Sequence, residues 1–151
     1  MSAAAPRSKA IATWLALVFG TLGAHRFYLH GRRDVIGWLS PIPTLIGLAG
    51  VIRMDNLGQD DTTSWALIPI LGLMIAQAML SAIVIGLTPD ERWNARYRNG
   101  QPDAGSGWIP VFGVIVALLL GGTALMGTIA FGGQKYFEYQ RLQAEIEAAK
   151  P

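Results

Sequence analysis

The amino-acid sequence predicts an all-α integral membrane protein: four transmembrane helices arranged as two hairpins, with a short interfacial helix and an amphipathic C-terminal helix. The first observation behind this fold class is composition. Hydrophobic residues make up 52% of the 151 residues and charged residues only 15%, whereas soluble domains carry roughly 25% charged residues. The second is patterning, because the charge is concentrated in short stretches between four long apolar runs. A helix of about 20 apolar residues crosses a bilayer.

The first apolar run covers residues 10–24 and can be extended to residue 29. Its strictly apolar part is short for a bilayer, so it spans only if the polar residues that follow lie at the headgroups. Ala12, Ala16, Gly20 and Ala24 recur every fourth residue. Small residues at this spacing let another helix approach closely, which predicts a packing face.

The second apolar run covers residues 35–52 and contains Pro41 and Pro43. Two prolines break the backbone hydrogen-bond ladder, which predicts a kink or an unwound turn near the middle of the run. Ser40 and Thr44 can satisfy the freed backbone groups. A broken helix can mark a transporter binding site, but a bent helix that fits its neighbour is the favoured interpretation.

The connector of residues 56–64 is polar and leads to the third run, residues 65–88. Its paired carboxylates, Asp60 and Asp61, could bind a cation or move a proton. The favoured role is to cap the helix that begins near Trp65.

The third run has a second row of small residues and a single strongly polar side chain, Gln77. An amide in hydrocarbon tends to hydrogen-bond to another helix, which makes Gln77 a possible intramembrane polar site. The packing row consists of Ala78, Ala82 and Gly86.

The loop of residues 88–107 predicts a short helix on the membrane surface, with Trp93 and Tyr97 as anchors and arginines meeting lipid phosphates. The fourth run, residues 108–131, carries Gly113, Ala117 and Gly121 as a further packing face. The predicted units are residues 1–55, 56–64, 65–131 and 132–151. The last of these is an amphipathic tail with apolar residues in 3-4-3 spacing.

The stretch between the first two runs reads Gly-Thr-Leu-Gly-Ala-His-Arg-Phe-Tyr-Leu-His-Gly over residues 20–31. This turn, with its flanking helices, resembles the TM-two (two-transmembrane) domain family over about residues 9–55. The resemblance implies that residues 1–55 form a helical hairpin. It points to the hairpin-turn residues Gly20, Gly23, His25, Arg26, Phe27, Tyr28 and Gly31, and to Asp55. The sequence departs from the family pattern where His30 shifts the glycine by one position, and at the Pro41/Pro43 pair.

Arg26 is central to the turn because its guanidinium can donate five hydrogen bonds. We expect it to pair with Asp55 or Asp34, and Phe27 and Tyr28 to seat the turn at the lipid interface. His25 and His30 are five residues apart, so they do not form an i, i+4 metal pair. We expect no catalytic, metal or cofactor site, and the absence of cysteine excludes thiolate chemistry.

These observations predict a non-enzymatic accessory or assembly component that packs against membrane partners; a small channel or transporter is the alternative. The expected partners are anionic lipid headgroups and a membrane protein or a second copy, not nucleic acid. The excess of Arg over Lys suggests a bacterial cytoplasmic membrane. Four spans would place six basic residues on each side, so the positive-inside rule gives no orientation.

Overall fold

The computed structural model of the chain describes residues 6–102 and 107–150. Residues 1–5 of the predicted first unit, 103–106 of the interfacial loop and 151 of the tail lie outside the described residues. Within the described ranges every regular element is helical. Seven α-helices are present: α1 (Lys9–Phe19), α2 (Ala24–His30), α3 (Val35–Leu39), α4 (Pro41–Leu57), α5 (Thr62–Leu87), α6 (Asp90–Tyr97) and α7 (Trp108–Ala148).

The first apolar run does not form a spanning helix, which differs from the expected first transmembrane segment. Helix α1 ends at Phe19, and a 3₁₀ turn at Gly20–Leu22 leads through Gly23 into α2. Helix α2 then runs back beside α1. A hydrogen bond of 2.9 Å from the Ser8 amide to the Tyr28 hydroxyl places α2 next to the start of α1. The guanidinium of Arg7 likewise donates to the carbonyl of Leu29. The run is therefore a helical hairpin with both ends on the same side.

Three stretches of helix are long and apolar enough to cross a membrane, rather than the four that we expected. They are Val35–Leu57, Thr62–Leu87 and Trp108–Ala148, whereas Lys9–Leu22 is a shorter apolar segment. The turn of residues 20–23, which begins and ends with glycine, accounts for the missing fourth span. It folds the first run back on itself before the helix reaches the length that a bilayer requires.

The second run is interrupted only at Ser40, near its start, and Ser40 keeps helical backbone angles (φ −56°, ψ −39°), so the expected unwound turn is not formed there. Helix α3 ends at Leu39, and α4 begins at Pro41. The Ser40 hydroxyl donates to the carbonyl of Ile36 at 2.8 Å. The Thr44 hydroxyl lies 2.8 Å from the carbonyl of Thr21 and so ties α4 to the tip of the hairpin. Both hydroxyls satisfy backbone groups near the break.

Helix α5 is the centre of the bundle, and small residues set how closely its neighbours approach. A methyl group added at Gly20 would lie 2.7 Å from the Cβ of Ala78. One added at Gly121 would lie 2.7 Å from the Cβ of Met79. Fully buried alanines fill the space between α1, α5 and α7: Ala12, Ala16, Ala78, Ala82 and Ala117. The small-residue rows therefore face one another inside a single copy of the chain.

Helix α7 continues without a break through the predicted tail. It has 41 residues, which makes it roughly 60 Å long, about twice the thickness of the hydrocarbon core. Lys135 is buried above the Trp65 ring, with its ammonium group 4.7 Å from the ring centroid. Beyond Lys135, which lies beside the start of α5, α7 continues for roughly 20 Å.

The bundle has two polar ends. The α6 end comprises residues 6–9, 31–34 and 88–102, which the contacts of Arg7, Ser8 and Lys9 bring together. The Gln59 end comprises the connector of residues 58–61 and Lys135, which donates to the carbonyl of Gln59 at 3.5 Å. These two ends define the sides of the molecule.

Candidate functional site

The turn predicted to be the informative part of the chain depends on a glycine in the left-handed region. Gly23 has φ +76°, and a methyl group there would lie 2.6 Å from the carbonyl oxygen of Gly37. Both conditions exclude a side chain. The close approach sets the start of α3 directly against the hairpin.

Arg26 pairs with Asp34 and not with Asp55. Its Nε donates to Oδ2 of Asp34 at 2.8 Å, and its second contact, from Nη2 to Oδ1, is 3.5 Å. Asp55 is exposed near the end of α4, roughly 20 Å along that helix from its start beside the turn. The expected Asp55 partnership is therefore wrong, because α4 carries this residue toward the Gln59 end.

Asp34 has a second role as the N-cap of α3. Its Oδ1 accepts a hydrogen bond from the backbone amide of Ile36 at 3.1 Å. The hydrogen bond from Arg26 is the main cause that holds the pKa of Asp34 below its ordinary value. One carboxylate thus orients the arginine of α2 and starts α3.

His25 is buried, with 5% of its surface exposed, and its Nδ1 has no hydrogen-bond partner among the described residues. Burial lowers the pKa of His25, and the neighbouring Arg26 and His30 lower it further. Asp34 has the opposite, smaller effect on this pKa. The imidazole is therefore neutral at physiological pH. Among the described residues no three His, Asp or Glu side chains are grouped to hold a metal ion.

Phe27 and Tyr28 contact protein instead of seating the turn in lipid. Phe27 lies edge-on to Trp38, with ring centroids 5.2 Å apart. Tyr28 is half-buried and packs against the core of the bundle. Gly31, with φ +83°, ends α2 in open space.

A junction that sequence reasoning missed lies at the α6 end, which we call the Lys9 junction (Arg7, Lys9, Asp90 and Trp93). Lys9 is 6% exposed. Its ammonium group contacts the Asp90 carboxylate and donates to the carbonyl of Thr88 at 3.2 Å. The indole of Trp93 donates to the carbonyl of Arg7 at 3.0 Å. The junction fastens the start of the chain to α6.

Trp93 was expected to anchor α6 in lipid, but it is 2% exposed and belongs to the core. Tyr97 packs against that core and stacks on Trp93, with ring centroids 4.5 Å apart. The aromatic residues of α6 therefore contact the core and Arg7, which precedes α1, so they are used inside the molecule. No signal in the local sequence separates the two roles of an aromatic residue.

The capping role predicted for the connector is confirmed at one of its two paired carboxylates, Asp61. Asp61 is the N-cap of α5 and accepts from the backbone amide of Ser64 at 3.2 Å. Arg53 donates to Asp61 at 3.0 Å and 3.1 Å. These contacts lower the pKa of Asp61 to about 2. The pair closes the turn between α4 and α5.

The packing rows meet within the chain, while Gln77 points out of it. Gly86 and Gly113 both face Thr13. Gln77 is exposed on α5, and its amide nitrogen lies 3.3 Å from the hydroxyl of Ser81. Gln77 therefore lies apart from both the turn and the Lys9 junction.

The comparison with known families agrees with the turn. Residues 5–54 match the family model of the TM2 domain. This confirms the resemblance inferred from the turn, for about the first third of the chain. No curated protein and no solved structure matches the chain significantly. The matched segment thus holds the hairpin, the Arg26–Asp34 pair and most of α4, while α5, α6 and α7 lie beyond it.

Proposed function

We propose that this small helical membrane protein is a non-enzymatic accessory or assembly component that acts through its membrane-embedded surface. The observation that carries the proposal is the uncovered apolar surface of the helices around α5. Large side chains there remain more than half exposed, among them Val35, Trp38, Leu45, Leu119 and Met126. Lipid and partner helices are the surroundings that such surfaces fit.

The interior supports an accessory role over a channel through one copy. A conduction path needs polar groups along a shared passage. The space between α1, α5 and α7 is instead filled by alanines with no exposed surface, such as Ala16, Ala82 and Ala117. Gln77, the residue that suggested transport, lies on the outside of this packing.

We further propose three spans and one re-entrant hairpin in place of four spans. The hairpin of α1 and α2 enters and leaves at the α6 end, and its tip at Thr21 contacts Thr44. This arrangement changes the charge count, since seven of the twelve Lys and Arg residues now belong to the α6 end, and an eighth, Arg26, pairs with Asp34 of that end. The seven are Arg7, Lys9, Arg32, Arg33, Arg92, Arg96 and Arg98.

The positive-inside rule then places the α6 end in the cytoplasm. The same arginines would meet anionic headgroups, each worth about 1 kcal/mol of attraction near such a surface. A bacterial cytoplasmic membrane is the location we propose, from the preference for Arg over Lys.

The partner test is purification of the full chain from its own membranes in mild detergent after cross-linking. A stoichiometric membrane protein should be recovered, and substitution of Trp38 by Ala should reduce its yield more than substitution of Trp108, which lies at the start of α7. Solute flux through liposomes that contain the pure protein would instead favour a channel and overturn the accessory role.

The topology test uses the absence of cysteine from the natural chain. Single cysteines at Ser8, Gly58 and Glu147 are labelled in intact cells with a maleimide that does not cross membranes. Three spans with a re-entrant hairpin place Ser8 opposite Gly58, whereas four spans place both on one side. Labelling of Gly58 and Glu147 but not Ser8 is the expected result, and equal behaviour of Ser8 and Gly58 would contradict it.

A further inference from the structure

Helix α5 has a single open stripe. From Leu67 to Leu87 every residue of α5 is buried or half-buried except five. The exposed residues are Leu73, Gln77, Leu80, Val84 and Leu87. We call this set the α5 stripe. The rest of the stretch from Leu67 to Leu87 packs against α1, α4 and α7.

The α5 stripe has the spacing of a helix-pairing seam. Its members are separated by four, three, four and three residues, which is the a/d repeat that lets two helices pack along one line. Four members are aliphatic, and the one polar member, Gln77, occupies an a position. A single polar side chain at such a position specifies register in paired helices.

Gln77 lies close to the middle of the proposed membrane. It is ten residues from the end of α5 at Leu87, hence roughly 15 Å from that end, about half of the hydrocarbon thickness. Its amide nitrogen contacts Ser81 of its own helix, and its carbonyl oxygen accepts no hydrogen bond from the described residues. An amide acceptor left without a donor in hydrocarbon is unfavourable.

Grooves flank the α5 stripe on both sides. One, of about 450 Å³, lies between α5 and α7, with Gly121 and Gly122 among its lining residues. The other, of about 260 Å³, lies between α5 and the α3–α4 junction. Gln77 borders both grooves. A ridge with a groove on each side can interlock with another ridge of the same shape.

We propose that the α5 stripe is the contact surface between two copies of this chain. Two copies with the same orientation in a membrane are related by a two-fold axis along the membrane normal, so their α5 helices are parallel. Parallel pairing places Gln77 opposite Gln77, and an amide both donates and accepts, so the two side chains satisfy each other. The proposal rests on the membrane insertion of α5 and not on the accessory role.

Cysteine cross-linking in membranes tests the geometry. Single cysteines replace Leu73, Gln77, Leu80 or Val84, and oxidation is expected to give a covalent dimer, since Cβ atoms across such a seam approach the distance that a disulfide requires. The matched controls are Leu45→Cys on α4 and Met126→Cys on α7, which are 60% and 70% exposed. If cysteines in the α5 stripe cross-link no better than the controls, the proposal is overturned. That result is expected if lipid or another protein covers the α5 stripe.

The amide is tested separately by energy transfer between labelled copies in liposomes. Gln77→Leu should weaken dimerisation on the order of 10-fold, because the loss of an interhelical amide contact in a membrane changes affinity by up to about that factor. Gln77→Asn keeps an amide and should dimerise better than Gln77→Leu. Ser81→Ala is the control, since it removes only the contact within α5. Unchanged dimerisation of Gln77→Leu would overturn the amide pairing. Recovery of a different membrane protein in the purification described above would test the accessory role and would not change the outcome of either dimer experiment.

Discussion

The ammonium group of Lys9 contacts the carboxylate of Asp90, which follows it by 81 positions. Lys9 is buried and Asp90 is about half exposed. Removing the carboxylate leaves the lysine charge enclosed with less compensation. We expect Asp90→Asn to lower the free energy of unfolding by about 1–3 kcal/mol, measured by denaturant titration in detergent. Glu91→Gln, one position away on α6, should have little effect, and an equal loss in both variants would contradict a specific pair.

Alanine substitutions at Trp93 and Trp108 distinguish a tryptophan in the core from one on the surface. Trp93 is 2% exposed and Trp108 is 76% exposed. Trp93→Ala should cost about 3–5 kcal/mol of stability because it leaves a cavity beneath α6. Trp108→Ala should change stability far less in the same unfolding titration. If Trp93→Ala left stability unchanged and instead reduced membrane association, the interfacial interpretation of α6 would stand.

Gly23 and Gly31 test the fold of the hairpin tip. Both have positive φ, but only Gly23 also lies against a neighbour, the carbonyl of Gly37. Gly31→Ala carries the conformational cost alone, about 1–3 kcal/mol for a side chain at φ +83° and ψ 179°. Gly23→Ala should be clearly more destabilising, since α3 must also move away. Thermal unfolding of the two variants in parallel measures the difference, and equal losses would argue against the contact.

The Arg26–Asp34 pair predicts coupling between two specific positions. A double-mutant cycle with Arg26→Gln and Asp34→Asn should be non-additive, because the second change removes nothing once the first is made. Asparagine preserves the N-cap of α3. The same cycle with Asp55→Asn should be additive. Coupling to Asp55 and not to Asp34 would restore the partnership that the sequence suggested.

Asp61 predicts a dependence of stability on acid. Its pKa is lowered from the ordinary value of 3.8 to about 2 in the folded state. A depressed pKa gives a contribution that is present above about pH 4 and is lost as the pH falls toward 2. Asp61→Asn should flatten the stability profile between these values while keeping the cap of α5. Asp60→Asn is the matched control, and a profile as flat as that of Asp61→Asn would contradict the assignment.

The longer apolar runs were predictable from hydropathy alone. The third predicted segment, residues 65–88, corresponds to α5, and the fourth begins where α7 begins. The first run was misjudged, because an apolar stretch that contains Gly20 and Gly23 has the same composition whether it crosses a membrane or turns back. The tail was separated from α7 on polarity, although α7 continues through it.

The candidate site was predicted in part. The turn motif predicted the resemblance to the TM2 domain that residues 5–54 show, and Asp34 was one of the two partners expected for Arg26. The Lys9 junction could not be predicted, since no periodicity connects residues so far apart in the chain. Trp93 was misplaced for a related reason: an aromatic residue beside arginines fits a lipid interface and a protein core equally well.

The order in which the chain is made gives the hairpin of α1 and α2 an unusual assembly problem. Its packing partners, Ala78 against Gly20 and Gly113 against Thr13, leave the ribosome roughly 60 to 100 residues later. Until then its alanine face has no protein to contact, and its length is too short to hold it across the bilayer. The hairpin is made before the helices on which it packs and reaches its final position only after them, so truncation within α7 should leave it without a place to dock.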